Sequence, residues 1–195
     1  MKHRWPILFG LLIALAAIVA GLHWGADRTE GWQLAARWTA RAGFPIFILT
    51  YSASSLGRLW HTPLTRTIWR DRRWWGLGFA AAHTVHLYAL MTYLRVSGET
   101  RPLPVLLGGG FGYVLLYVMV LTSDDAAMRA LGKNWKRLHT LGIHWLWAVF
   151  FVSYLGRVFE PESQLTGLVG TAIALGALSL RIAAWAKSRR RTAQA

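Results

Sequence analysis

Residues 74–94 read WWGLGFAAAHTVHLYALMTYL, twenty-one consecutive positions without a charge. Roughly 20 apolar residues cross a bilayer core as a helix, so this stretch has the length of a membrane span. In its middle it carries His83 and His86. Imidazole is costly in hydrocarbon, and ionisable groups inside a membrane tend to mark functional sites. The same residues therefore set both the fold and the chemistry to be explained.

Outward from this stretch, uncharged blocks of similar length recur at 5–26, 42–57, 102–123, 138–156 and 163–180. The 195-residue chain is 54% hydrophobic and 15% charged, too apolar for an ordinary soluble domain. Its apolar residues come in blocks rather than in alternation. The expected fold class is all-α, an integral membrane bundle of six transmembrane helices forming one domain over residues 1–195. The spans are expected at about 5–25, 42–60, 74–95, 103–122, 136–156 and 164–186. Two blocks are short between charges, and Arg58 and Arg181 near their ends are placed to snorkel to the interface. Lys2, His3 and Arg4 precede the first block as in a signal peptide. Its apolar core is long for one and no clean small-residue cleavage pattern follows, so it is expected to be retained as a span.

The net charge of +14 is unevenly distributed. With Met1 on the cytoplasmic side, the N-terminus and segments 58–73, 129–137 and 181–195 hold 16 of the 22 Lys and Arg. The opposite side holds Arg28, Arg37, Arg41, Arg95, Arg101 and Arg157. This positive-inside bias puts both termini in the cytoplasm. It reads the basic tail as an anchor on anionic membrane lipid, and nucleic-acid binding is not expected. Ten of the twelve Trp flank the blocks as an interfacial belt; Trp145 and Trp147 are mid-span. The chain has no Cys, which excludes thiol chemistry, thiolate zinc and cysteine-ligated clusters from its own residues.

Segments 27–41 and 58–73 are long enough for short surface helices. Leu107-Gly-Gly-Gly-Phe-Gly112 has no preceding strand and no acidic ribose partner, so it is not a phosphate loop. Close helix packing through small residues is the expectation there and at Ser52-Ala-Ser-Ser55.

Of the seven histidines, His3, His23 and His61 fall at membrane edges or in loops. The other four concentrate in two spans, His83 and His86 in the third and His139 and His144 in the fifth. Both spans run outward from the cytoplasm in the expected topology. At about 1.5 Å per residue, His83 and His86 lie ~12–19 Å deep, His144 ~10 Å and His139 ~3 Å. Facing imidazoles can ligate a metal or the axial positions of a heme iron. Zinc is the weaker alternative, since His83-Thr-Val-His86 lacks the Glu of the zinc-protease motif. Structural hydrogen bonding by the histidines is the other.

Thr62-Pro-Leu-Thr-Arg66, Arg72-Arg-Trp-Trp-Gly-Leu77 and His86, followed by Leu121-Thr-Ser123, Leu131-Gly-Lys-Asn-Trp135 and Leu138-His139, occur in an order that resembles the ferric-reductase-like transmembrane domain. Within that superfamily the likeness is to the MsrQ (YedZ) type, the heme-binding membrane subunit of a bacterial periplasmic methionine sulfoxide reductase. It covers about residues 62–156. The resemblance implies b-type heme between the third and fifth helices, with His86 and His139 at two of the ligand positions. The family's second fifth-helix histidine would fall at Val152 here, and His83 and His144 are additional. Ligation by members of the quartet His86, His139, His144 and His83 is therefore expected, with one heme b or two, and the choice between His139 and His144 stays open. Arg72 and Arg73, with Lys136 and Arg137, are candidates to neutralise propionates or bind a donor. Trp145 and Trp147 could pack on a porphyrin.

The function so implied is electron transfer across the bacterial inner membrane to an outer acceptor, a periplasmic redox partner or ferric iron. With no nucleotide-binding segment after the sixth block, the expected donor is a quinol or a separate flavin reductase, so a quinone or flavin enters as donor. The chain would be an oxidoreductase subunit rather than a self-sufficient enzyme. A heme-free scaffold or assembly partner is the alternative from another class, and Val152 is its support. A histidine proton-relay transporter ranks last, since no membrane-embedded Asp or Glu is available to couple with.

Overall fold

A computed structural model describes residues 4–193, with side-chain surroundings for residues 4–190. His3 and Lys2 lie outside the described residues. Helices α1 (Trp5–Trp24), α2 (Arg28–Leu59), α3 (Pro63–Arg70), α4 (Arg72–Ser97), α5 (Leu103–Leu121), α6 (Asp125–Leu131), α7 (Lys133–Arg157) and α8 (Gln164–Ala193) follow one another. No strand occurs among the described residues. Four segments are long and apolar enough to cross a membrane: Trp5–Trp24, Leu103–Leu121, Lys133–Arg157 and Pro161–Arg190. The chain is thus an all-helical protein with several membrane-spanning segments. Helices α2 and α4 fall short of that hydropathy, α2 because its first half is polar and α4 because Trp, His, Thr and Gly dilute its apolar residues.

The chain divides into two compact units. The first comprises the residues up to Thr50 together with Arg73–Leu106. Here α1 seats on α4 through backbone contact: a Cβ on Gly10 would strike the Gly78 carbonyl, and one on Gly78 would strike that of Pro6. Gly21 meets the Ala35 backbone of α2 in the same way. Small residues of this kind let helices approach closely without a hydrophobic drive from water. Ala35, Ala36, Ala89 and Tyr93 form a buried cluster between α2 and α4, flanked by Ile18 and Trp32. Two reciprocal bonds start α2, Ala26 N–H to Glu30 Oε2 at 2.7 Å and Glu30 N–H to Asp27 Oδ1 at 2.8 Å. They satisfy donors that a helix N-terminus leaves over.

The surface helix expected in 27–41 is therefore the first part of α2, a single 32-residue helix with Pro45 inside it. No Gly or Pro stands between Gln33 and Arg41 to end it. The short helix expected in 58–73 is present as α3, with a reciprocal Thr62–Thr65 capping box and Pro63 in its first turn.

The second unit comprises Tyr51–Arg72 and the chain from Leu107 onward. Helix α8 packs along α7, where Gly167 and Gly170 accept the backbone of Arg157 and the ring of Tyr154. Lys187 donates to the carbonyls of Arg58 and Leu59 at 3.2 Å, capping the C-terminus of α2 with a cation. Gly132, at φ 50°, ends α6 and begins α7 in one residue, a backbone conformation that glycine adopts without strain. At the end of α3, Asp71 takes two bonds from Arg70, at 2.9 and 3.0 Å. That pair holds the guanidinium pKa above its ordinary value.

At Gly108, Gly109 and Gly110 a Cβ would meet nothing within 4 Å, so the absent side chains there admit no close helix approach. At Gly112 of that run a Cβ would meet Leu146 and Trp145. The seryl run meets its expectation, with Ser52, Ala53 and Ser55 buried.

Candidate functional site

Each unit presents one pair of histidines, and the pairs are built differently. In the first unit His83 and His86 are three residues apart on α4, about 60° around the helix, and so share a face. Their rings lie 4.9 Å apart at 35°. His83 is buried and stacks on Phe79 at 4.9 Å. Gly43 of α2 opposes this stack, where a Cβ would sit 3.6 Å from His83 Nδ1.

His86 is held by α2. Its Nδ1 lies 3.0 Å from the Thr39 hydroxyl, and Thr39 is fully buried. That hydroxyl owns one proton, which it donates to the Ala35 carbonyl at 2.7 Å, shared with Ala36 at 3.1 Å. It therefore accepts from His86, which places the imidazole proton on Nδ1 and the lone pair on Nε2. A hydroxyl set against one imidazole nitrogen in this way is how a partner orients a metal-ligating histidine.

In the second unit His139 and His144 lie five residues apart on α7, about 140° around the axis. They therefore point to different surroundings. The Thr122 hydroxyl, one residue past the end of α5, donates to the Val118 carbonyl at 2.7 Å and lies 3.1 Å from His139 Nε2. By the same proton count it accepts there, so His139 carries its proton on Nε2. The His139 ring stacks on Trp135 at 4.1 Å, and Trp135 Nε1 donates to the Thr122 carbonyl at 2.7 Å. His144 instead meets the Tyr51 hydroxyl through Nδ1 at 3.1 Å, with the rings edge-on.

Axial ligation of a porphyrin iron needs one or two such nitrogens from the protein, since the macrocycle supplies the equatorial ones. A protein-caged ion needs more, and no group of three or more His, Cys, Asp or Glu gathers as a metal site among the described residues. An all-imidazole donor set with hydroxyl partners fits axial heme ligation better than a zinc site. His23 and His61 are exposed and belong to neither pair.

The other sequence candidates have local partners. Arg72 donates to the Trp69 carbonyl at 3.1 Å, and the Arg73 guanidinium lies 5.4 Å from the Trp74 ring centre. Lys133, Lys136 and Arg137 line an open hollow with Thr140 and Leu141 at the start of α7. Trp145 donates to the Gly108 carbonyl at 3.0 Å and Trp147 to that of Ala174 at 2.9 Å, so both indoles are engaged in helix packing. Sequence reading missed Thr39, Tyr51 and Thr122. Tyr51 and Thr122 signal themselves only as hydroxyls in apolar blocks, Thr39 in the charged segment 27–41 gives no signal, and none of them names a partner.

No family model and no solved structure matches the chain. Among curated proteins it is similar to the protein-methionine-sulfoxide reductase heme-binding subunit MsrQ of Salmonella paratyphi B, Salmonella newport and Salmonella heidelberg. Each is 30% identical over 158 residues, which cover 73% of this chain and 72% of the relative.

Proposed function

This chain belongs to the MsrQ family of protein-methionine-sulfoxide reductase heme-binding subunits, and on that premise we propose that it is a heme b membrane protein passing electrons to an outer acceptor. The acceptor is a periplasmic reductase partner or ferric iron, and the donor a quinol or a separate flavin reductase. In this reading the chain forms one domain of six spans in a bacterial inner membrane, with both termini cytoplasmic. α2 and α4 supply the two spans whose hydropathy is diluted. The ferric-reductase-like ancestry is part of the same proposal.

The observation that carries the reading is His86 Nδ1 set 3.0 Å from the hydroxyl of buried Thr39, which is itself back-bonded to the Ala35 carbonyl. Bound heme would supply one-electron chemistry, its potential set by ligands, burial and hydrogen bonds. The chain's own residues would hold it: imidazole nitrogens from the quartet His83, His86, His139 and His144 as ligands, and Arg72 and Arg73 as counter-charges for propionates. One heme is the base proposal and two the extension. Purified protein from heme-replete cells is expected to show a Soret band, lost on replacing the four histidines together. Wild type without that band would sink the reading.

A heme-free scaffold has one specific observation in its favour. Val152, at the position where the family places a further histidine, is 64% exposed on α7. It predicts that His86→Ala with His139→Ala leaves partner function intact.

A further inference from the structure

Resting on the heme reading and deepening it, we propose that the ligand from α7 in this chain is His144 rather than His139, and that Tyr51 is its positioning residue. One face of α7 cannot present both histidines, because they diverge by about 140°. His139 is committed to joining helices. Its Nε2 donates to Thr122, its ring lies on Trp135, and Trp135 bonds the carbonyl of the same threonine. Together these contacts fasten the first turns of α7 to the end of α5.

His144 is held in the opposite sense. The Tyr51 hydroxyl occupies Nδ1, so Nε2 is the nitrogen directed away from that partner. Tyr51 is itself immobilised. It is fully buried, the Arg181 guanidinium lies 4.5 Å from its ring centre, and Arg181 donates to its carbonyl at 2.8 Å. The Trp147 indole stacks on it at 6.4 Å and 21°. A phenol held by these two neighbours and set against an imidazole nitrogen does what an orienting partner does for a ligating histidine. His86 follows the same pattern, with a buried hydroxyl at Nδ1. His139 instead meets its hydroxyl partner through Nε2. As ligand, His144 carries its proton on Nδ1 and donates it to the Tyr51 oxygen.

The test uses the full chain, expressed with heme and purified in detergent, read by optical and EPR spectra, midpoint potential and hemin transfer to apomyoglobin. His144→Ala is expected to convert a low-spin heme signal to high-spin, and added imidazole to restore it. Tyr51→Phe keeps the ring, its stack and its cation contact. It is expected to stay low-spin, to weaken hemin retention about 10–100-fold, and to raise the midpoint potential. His139→Gln is expected to stay low-spin while melting at a lower temperature. His144→Met, which keeps the side-chain bulk, reports on the same position if the alanine variant fails to accumulate, and is expected to raise the potential by changing the axial ligand. A low-spin signal lost in His139→Gln and kept in His144→Ala overturns the inference. So does a Tyr51→Phe protein matching wild type in spectrum, potential and hemin retention. Wild type without a Soret band overturns the heme reading and this inference together, whereas a Soret band with unmoved His144 variants overturns this inference alone.

Discussion

The histidines of α4 and those of α7 solve one problem, placing imidazole in an apolar helix, in two ways. On α4 they are neighbours on one face, their rings tilted at 35° and His83 stacked on Phe79. On α7 they diverge, and each finds its own hydroxyl, Thr122 just past α5 or Tyr51 of α2. The decisive difference is which nitrogen each hydroxyl takes. Thr39 and Tyr51 take Nδ1, while Thr122 takes Nε2. Two threonines in the same back-bonded state thus fix opposite tautomers, so a histidine's residue type and depth do not reveal whether its outer nitrogen is available to iron.

Replacing the two threonines is the sharpest way to break this comparison. Thr39→Val keeps the shape and removes the hydroxyl partner of half-buried His86, at a cost of about 1 kcal/mol. Hemin retention is expected to fall about 10–100-fold as well, measured by transfer to apomyoglobin. Thr122→Val removes the equivalent acceptor from His139 and is expected to cost about 1 kcal/mol. It should appear as a lower melting temperature in detergent, without the loss of hemin seen for Thr39→Val. Equal hemin loss in the two variants would erase the distinction. The smallest effect is expected at Gly43, which faces the α4 pair at ordinary contact distance. Gly43→Ala should be neutral or stabilising by up to about 1 kcal/mol, since alanine is the better helix former. A fall in melting temperature there would show that the His83 ring needs the space.

Much of the scaffold is legible in the sequence because a membrane span announces itself by length alone. Residues 103–122 and 5–25 were expected to within a residue or two of α5 and α1. The polar half of α2 was not, since charge density says where a helix leaves hydrocarbon, not where it ends. Gly108–Gly110 misled for the converse reason: small residues permit a close approach without requiring one. For the site, histidine in an uncharged block is a readable signal and supplies the four imidazole candidates, whereas Arg72 and Arg73 come from charge at the end of a block. Their hydroxyl partners were not readable. Thr39 is 47 residues from His86 and Tyr51 is 93 from His144, pairings that only the fold creates.

The unbroken course of α2 has a mechanical consequence. At 32 residues it is about 48 Å long, well beyond the roughly 30 Å of a bilayer's hydrocarbon core. Pro45 lacks the N–H that would bond the Arg41 carbonyl, and this gap in the ladder falls where charged sequence gives way to apolar. Thr39 rides on the polar side of that weak point, six residues before it. The hydroxyl that orients His86 Nδ1 thus sits on a stretch of α2 that leads directly into an incomplete part of its own hydrogen-bond ladder.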